Sequence, residues 1–152
     1  MVVRDVAPSE ALRRWGLNQA STVEATWQQL QSRWAGDEVV VAAVRLGQHS
    51  LLMAGAPWVQ GGDLLSAGTA AVRHSYDPGC GWSSEWSMHR DGVTISHIRE
   101  EQPKRRKGVA LPEILQAVRE MNANQSWSAP DWFAGFQSLE LMCRVAGVAD
   151  RS

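Results

Sequence analysis

Four histidines and two cysteines carry most of the reactive chemistry that this 152-residue chain offers. Histidine changes charge near neutral pH and is the usual general acid or base. His74 and His97 fall on segments that read as strands, on faces shared with apolar residues, whereas His49 and His89 flank turns and are expected to meet solvent. An imidazole on an apolar face is more often a core group with one satisfied hydrogen bond than a base. The catalytic alternative places His97 against Trp86, where burial would disfavour its charged form. Cys80 sits in the glycine-flanked loop Pro78-Gly79-Cys80-Gly81-Trp82, a setting for an exposed nucleophilic thiol. His74, His97 and Cys80 are therefore the catalytic candidates. The spacings C-x-x-C and H-E-x-x-H do not occur, so neither a metal nor a cofactor is expected. Among carboxylates, Asp63, Asp77 and Glu85 would have to converge in space to work as acid and base. Glu85 precedes Trp86 on its strand and points to the opposite face. Gly61-Gly62-Asp63 precedes a helical turn but lacks a full phosphate-binding pattern, and Asp63 would repel an anion.

Binding chemistry rests on tryptophan. There are eight, against two phenylalanines and one tyrosine, so tryptophan supplies most of the aromatic surface. Such residues fill cores and also anchor interfaces. Trp58, in a Pro-Gly loop, and Trp82, beside Cys80, are the candidates for exposed anchors; Trp86 and Tyr76 are binding candidates on the sheet. Lys104-Arg105-Arg106-Lys107 is a basic run between acidic neighbours, a solvated loop or a docking segment for an acidic partner.

These residues need elements to hold them. Pro8 to Trp15 reads as a helix stopped by Gly16. Ser21-Thr22-Val23-Glu24 has the form of a capping box, and Val23, Trp27, Leu30 and Trp34 then recur at helical spacing. Glu38 to Leu46 is apolar on both faces, the pattern of a covered central strand, and pairs through Gly47-Gln48 with His49 to Ala54. Asp63 to Ala67 forms one helical turn closed by Gly68. Thr69 to Tyr76 alternates, with Val72, His74 and Tyr76 on one side. Trp82 to Arg90 and Val93 to Arg99 form a hairpin about Asp91-Gly92, and a regular ladder places Trp86, Met88, Ile95 and His97 on one face. Residues 100–110 read as a mobile charged loop. Leu111 to Met121 and a segment opening at Ser128 carry the stripes of two further helices. The expected fold is α+β: a five-stranded, mainly antiparallel meander with two N-terminal and two C-terminal helices on one face, residues 1–152 forming one domain.

The bulk properties narrow the class. A net charge of -1 argues against a chain that coats nucleic acid or an anionic membrane, which needs a broad basic surface. Sparse cysteine fits a reducing compartment. The first residues carry Arg4 and Asp5 and no secretory apolar run, and no stretch approaches the roughly 20 apolar residues of a membrane span. A cytoplasmic location is expected.

Residues Val40 to Ile98 resemble an uncharacterised family of small actinobacterial proteins, a domain of unknown function. The resemblance lies in Gly47 with Leu51-Leu52, the loop Trp58 to Gly61, the run Leu65-Ser66-Ala67-Gly68-Thr69, and the Asp91-Gly92 hairpin. Members usually carry an acid and an asparagine before the tryptophan loop; here that stretch is Met53-Ala54-Gly55-Ala56. The resemblance implies no activity. In style the family is similar to small helix-and-sheet immunity proteins, an analogy of fold alone.

Two function classes follow. The first is a non-enzymatic binding protein, an immunity-like or regulatory partner of another protein, with nucleic acid a distant third choice of partner. The second is a small-molecule-binding or tailoring enzyme with an apolar pocket lined by Val72, His74, Tyr76, Trp86, Met88 and Ile95, in which His74, Tyr76 or His97 supplies the polar groups. Filling of that face by the terminal helices would favour the first.

Overall fold

A computed structural model of the chain describes residues 1–17, 22–34, 40–54, 61–77, 83–99, 107–108, 112, 114, 116–117 and 136–147. Trp58, Cys80, Trp82 and the basic residues 104–106 lie outside them. The elements run β1 (Val2–Val3), α1 (Pro8–Arg14), α2 (Trp27–Trp34), β2 (Val41–Leu46), β3 (His49–Ala54), α3 (Gly62–Leu65), β4 (Ala70–Asp77), β5 (Ser83–Arg90), β6 (Val93–Arg99), β7 (Lys107–Gly108) and α4 (Phe136–Ala146). The fold is α+β, and every described strand pairing is antiparallel.

The sheet departs from the expected five-stranded meander. Its order is β2-β3-β1-β4-β5-β6-β7. Val2 and Val3 insert between β3 and β4, pairing with Leu51 and Ser50 on one side and Val72 and Ala71 on the other. β3 and β4, each antiparallel to β1, thus run parallel to one another, with α3 in the crossover between them. The insertion is pinned at both ends. The Arg4 amide donates to Ala70 O at 2.9 Å, the Thr69 hydroxyl to Arg4 O at 2.6 Å, and the Ser50 hydroxyl to Val6 O at 2.5 Å. The Asp5 amide donates to Nδ1 of His49 at 3.0 Å, so the expectation that His49 faces solvent is corrected: the ring is buried and caps the β1 turn. β2, read from its apolar sequence as central, ends the order of described strands. Lys107 and Gly108, expected in a loop, form β7 against His97 and Ser96.

The helices occupy both faces of the sheet, not one. Side chains alternate along a strand, so Val2 and Val3, Leu51 and Leu52, and Val72 and Ala71 point to opposite sides. Val2, Leu51, Val72, Trp86 and Met88 pack with Ile114, Ala117 and the α4 residues Leu141, Met142 and Ala146. Val3, Leu52 and Ala71 pack with Met1, Val6, Ala11 of α1 and Leu65 of α3. A sheet apolar on both sides needs a cover on each. α1 begins at Pro8, and Glu10 bonds Arg13 and Arg14, which holds its carboxyl down at about 2. Arg14 reaches from α1 to the Ala67 carbonyl at 2.7 Å and fastens the two short helices together.

α2 is capped five residues later than Ser21-Glu24 suggests; Ser21 itself lies outside the described residues. Thr26 Oγ1 accepts from the Gln29 amide at 3.3 Å, and Gln29 Oε1 accepts from the Thr26 amide at 2.8 Å, the reciprocal box that starts a helix. Of its expected apolar stripe, Leu30 is buried, whereas Val23 and Trp27 remain 67% and 52% exposed.

Candidate functional site

The hairpin β5–β6 decides which groups meet. Asp91 and Gly92 both have positive φ, 51° and 79°, as the two-residue turn with the twist of its strands requires. Arg90 pairs with Val93 and His89 with Thr94, but Met88 then pairs with Ser96, so Ile95 is an extra residue. Such a bulge reverses which face the following residues take. His97 comes to lie opposite Ser87 instead of sharing a face with Trp86 and Met88. The placement expected for His97 is therefore corrected, and the cause is one residue in the ladder.

On the face bearing α4, His74 stacks on Trp86 with ring centroids 4.6 Å apart and planes at 28°. Burial pulls the His74 pKa down to about 4, with the charge of the Met1 amino group adding to the effect. The imidazole is neutral and belongs to the core edge. Val72, Trp86 and Met88, expected to line a pocket, are packed by the α4 side instead. Tyr76 lies on β4, two residues beyond His74.

The opposite face of β4–β6 is polar. In register across the strands run Ala71, His89 and Thr94; then Arg73, Ser87 and His97; then Ser75, Glu85 and Arg99. His97 Nε2 contacts Glu85 Oε1, and both side chains are about one third exposed. One row further along, His89 is buried, which corrects the expectation that it faces solvent. α3 lies over it so closely that a Cβ at Gly62 would collide with the imidazole, so this position requires glycine. Asp63, the next residue, puts Oδ1 2.9 Å from His89 Nδ1. Ser87 Oγ lies 2.8 Å from Nε2. The Thr94 hydroxyl donates to Asp63 Oδ1 at 3.1 Å and lies 3.0 Å from His89 Nδ1. Finally, the Ser66 hydroxyl accepts the Gly92 amide at 3.2 Å and ties α3 to the hairpin turn.

The protonation pattern follows from these contacts. Hydrogen bonding by His89, then Thr94, lowers the Asp63 pKa, so its carboxylate is ionised and can only accept. Nδ1 of His89 must then donate to it. In the neutral ring Nε2 is left with a lone pair, which accepts the Ser87 hydroxyl proton. Serine, histidine and aspartate are thus connected in the order that activates a hydroxyl. Their exposure runs the other way from a surface nucleophile: the Asp63 side chain is 63% exposed, whereas Ser87 and His89 are each 7% exposed.

Ser87 and Thr94 were not among the residues singled out from the sequence. The available signal was Ser87-Met88-His89, a serine and a histidine two apart and so on one strand face. Nothing local points to Asp63, which is 26 residues from His89. Among the described residues no three His, Cys, Asp or Glu side chains gather as a metal site, and no helix is long and apolar enough to cross a membrane. Cys143, on α4, packs at the core's edge. No family model, no curated protein and no solved structure matches the chain.

Proposed function

We propose that the chain is a binding protein, a regulatory or immunity-like partner of another protein, acting in the cytoplasm. One observation carries this reading: Trp27 stands 52% exposed at the start of α2, while Leu30 on the same helix is buried. A half-exposed tryptophan held on a helix brings large contact area at little entropic cost, the character of an interface hot spot. The occupied apolar face supports the same reading, because α4 takes the space that a ligand pocket would need. Trp58 and Trp82 remain candidate anchors in this reading, with a protein the partner rather than a small molecule or nucleic acid.

The test is capture of partners by the tagged chain from its host, with Trp27→Ala, Trp58→Ala and Trp82→Ala in parallel, followed by titration of the purified partner. A partner whose affinity falls at least about tenfold on one substitution supports the reading. A chain that retains no partner sensitive to any of the three is not a binding protein of this kind.

A second reading, a small-molecule enzyme, is favoured by one specific observation: the unbroken connection of Ser87, His89 and Asp63. It moves the enzymatic alternative from the apolar face to the polar one.

A further inference from the structure

The protein-binding reading leaves the Ser87–His89–Asp63 connection without a role; the inference drawn from it rests on the enzymatic reading and names its chemistry. We propose that Ser87 is a nucleophile activated by His89 and Asp63, and that the chain hydrolyses esters with a compact acyl group.

Three observations carry it. The two contacts, 2.8 Å from Ser87 Oγ to Nε2 and 2.9 Å from Nδ1 to Asp63, lie within the reach that general-base activation needs. The ring is also held in place before any substrate arrives: Ser87, Asp63 and Thr94 bond its nitrogens, and Gly62 closes over it. A fixed ring in the correct tautomer is what a general base requires. Third, His97, directly across from Ser87, is about one third exposed, so the row that holds the 7% exposed hydroxyl opens to solvent at its His97 end.

The same geometry sets the substrate class. Ser87 is only 7% exposed, so little of the hydroxyl is open to a substrate, which favours a compact acyl group over a long chain or a peptide. In the reaction the Ser87 oxygen bonds to the ester carbonyl carbon while its proton passes to His89 Nε2. The imidazolium, faced by the Asp63 carboxylate, returns that proton to the leaving alkoxide as the C–O bond breaks. Water then attacks the acyl-serine and gives a proton to Nε2. The acid departs as Ser87 recovers its proton. The net change is ester plus water to acid plus alcohol.

The experiment treats the full chain with a fluorophosphonate probe, maps the adduct by peptide mass spectrometry, and follows hydrolysis of 4-nitrophenyl acetate and 4-nitrophenyl octanoate. The expected result is an adduct on Ser87, with acetate turned over at least about tenfold faster than octanoate, and turnover reduced by roughly 10²-fold in Ser87→Ala and His89→Gln. Adduct mapping uses the unsubstituted protein, so it holds even if a variant folds poorly. An adduct on Ser87 with equal turnover of the two esters overturns the compact-acyl class and keeps the nucleophile. No adduct on Ser87, with Ser87→Ala as active as the unsubstituted chain, overturns the nucleophile and the enzymatic reading together.

Discussion

The two faces of the sheet are built from the same strands and do opposite things. On one, Val72, Trp86 and Met88 meet α4, and the imidazole of His74 is stacked on Trp86 and kept neutral. On the other, one residue away along the same strands, Ser87, His89, Glu85 and His97 join Asp63 of α3 in polar contacts. A buried apolar face gains from removing area from water and tolerates few polar groups. A polar face keeps its groups only by partnering them, which fixes their geometry. The chemistry of this chain thus follows the strand parity of each residue more than its type: His74 and His97 are alike in sequence setting and unlike in role.

The largest expected effect lies on the apolar face. Trp86 is 2% exposed at the centre of that core, and Trp86→Ala should destabilise the chain by about 3–5 kcal/mol in urea unfolding. A loss below about 1 kcal/mol would mean that α4 does not seal that face.

Second comes pH. The His74 pKa is depressed from 6.5 to about 4 in the folded state, so the unfolded chain takes up a proton that the folded chain refuses. The stability linked to His74 is complete above pH 6.5 and declines as pH falls toward about 4. The decline should reach about 2–3 kcal/mol, discounted for partial exposure, and should vanish from unfolding curves of His74→Gln. An unchanged slope in that variant would place the imidazole in water.

The polar face gives smaller effects. Gly62→Ala forces a methyl group into the His89 ring and should cost about 1–3 kcal/mol of unfolding free energy. Equal stability of the two chains would mean that α3 does not close over the ring. Glu85→Gln removes the partner of a third-exposed His97 and should change stability by less than about 1 kcal/mol. A loss as large as that of Gly62→Ala would show that the Glu85–His97 pair is buried and that the polar face is closed.

Much of this arrangement was legible in local pattern. Asp91-Gly92 demanded a two-residue hairpin, Pro8 and Gly16 bounded a helix, and alternation placed Val72 and His74 together on β4. The doubly apolar run Glu38 to Leu46 also carried the sign of a sheet covered twice, a sign outweighed by the grouping of helices at the two ends of the chain. What failed did so for physical reasons. Val2-Val3 is too short to show any period, yet it takes a central place because groups of His49, Ser50, Thr69 and Ala70 bind its flanks. The bulge at Ile95 leaves Val93, Ile95 and His97 looking like an unbroken alternation, and nothing in residue type marks the slip. The Asp63–His89 contact forms only once α3 is laid over β5, a tertiary event with no local signature. Trp27 looked like core because periodicity reports a face, not what covers it.

The slip at Ile95 is what separates His97 from Trp86 and gathers the polar face, so it is the claim to test most directly. Nuclear Overhauser contacts from the four imidazole rings decide it. The expected pattern is His97 ring protons close to Glu85, His89 ring protons close to Ser87 and Asp63, and His74 alone close to the Trp86 indole. Contacts between His97 and the Trp86 ring would mean a regular ladder, with the polar face dissolved and its chemistry with it.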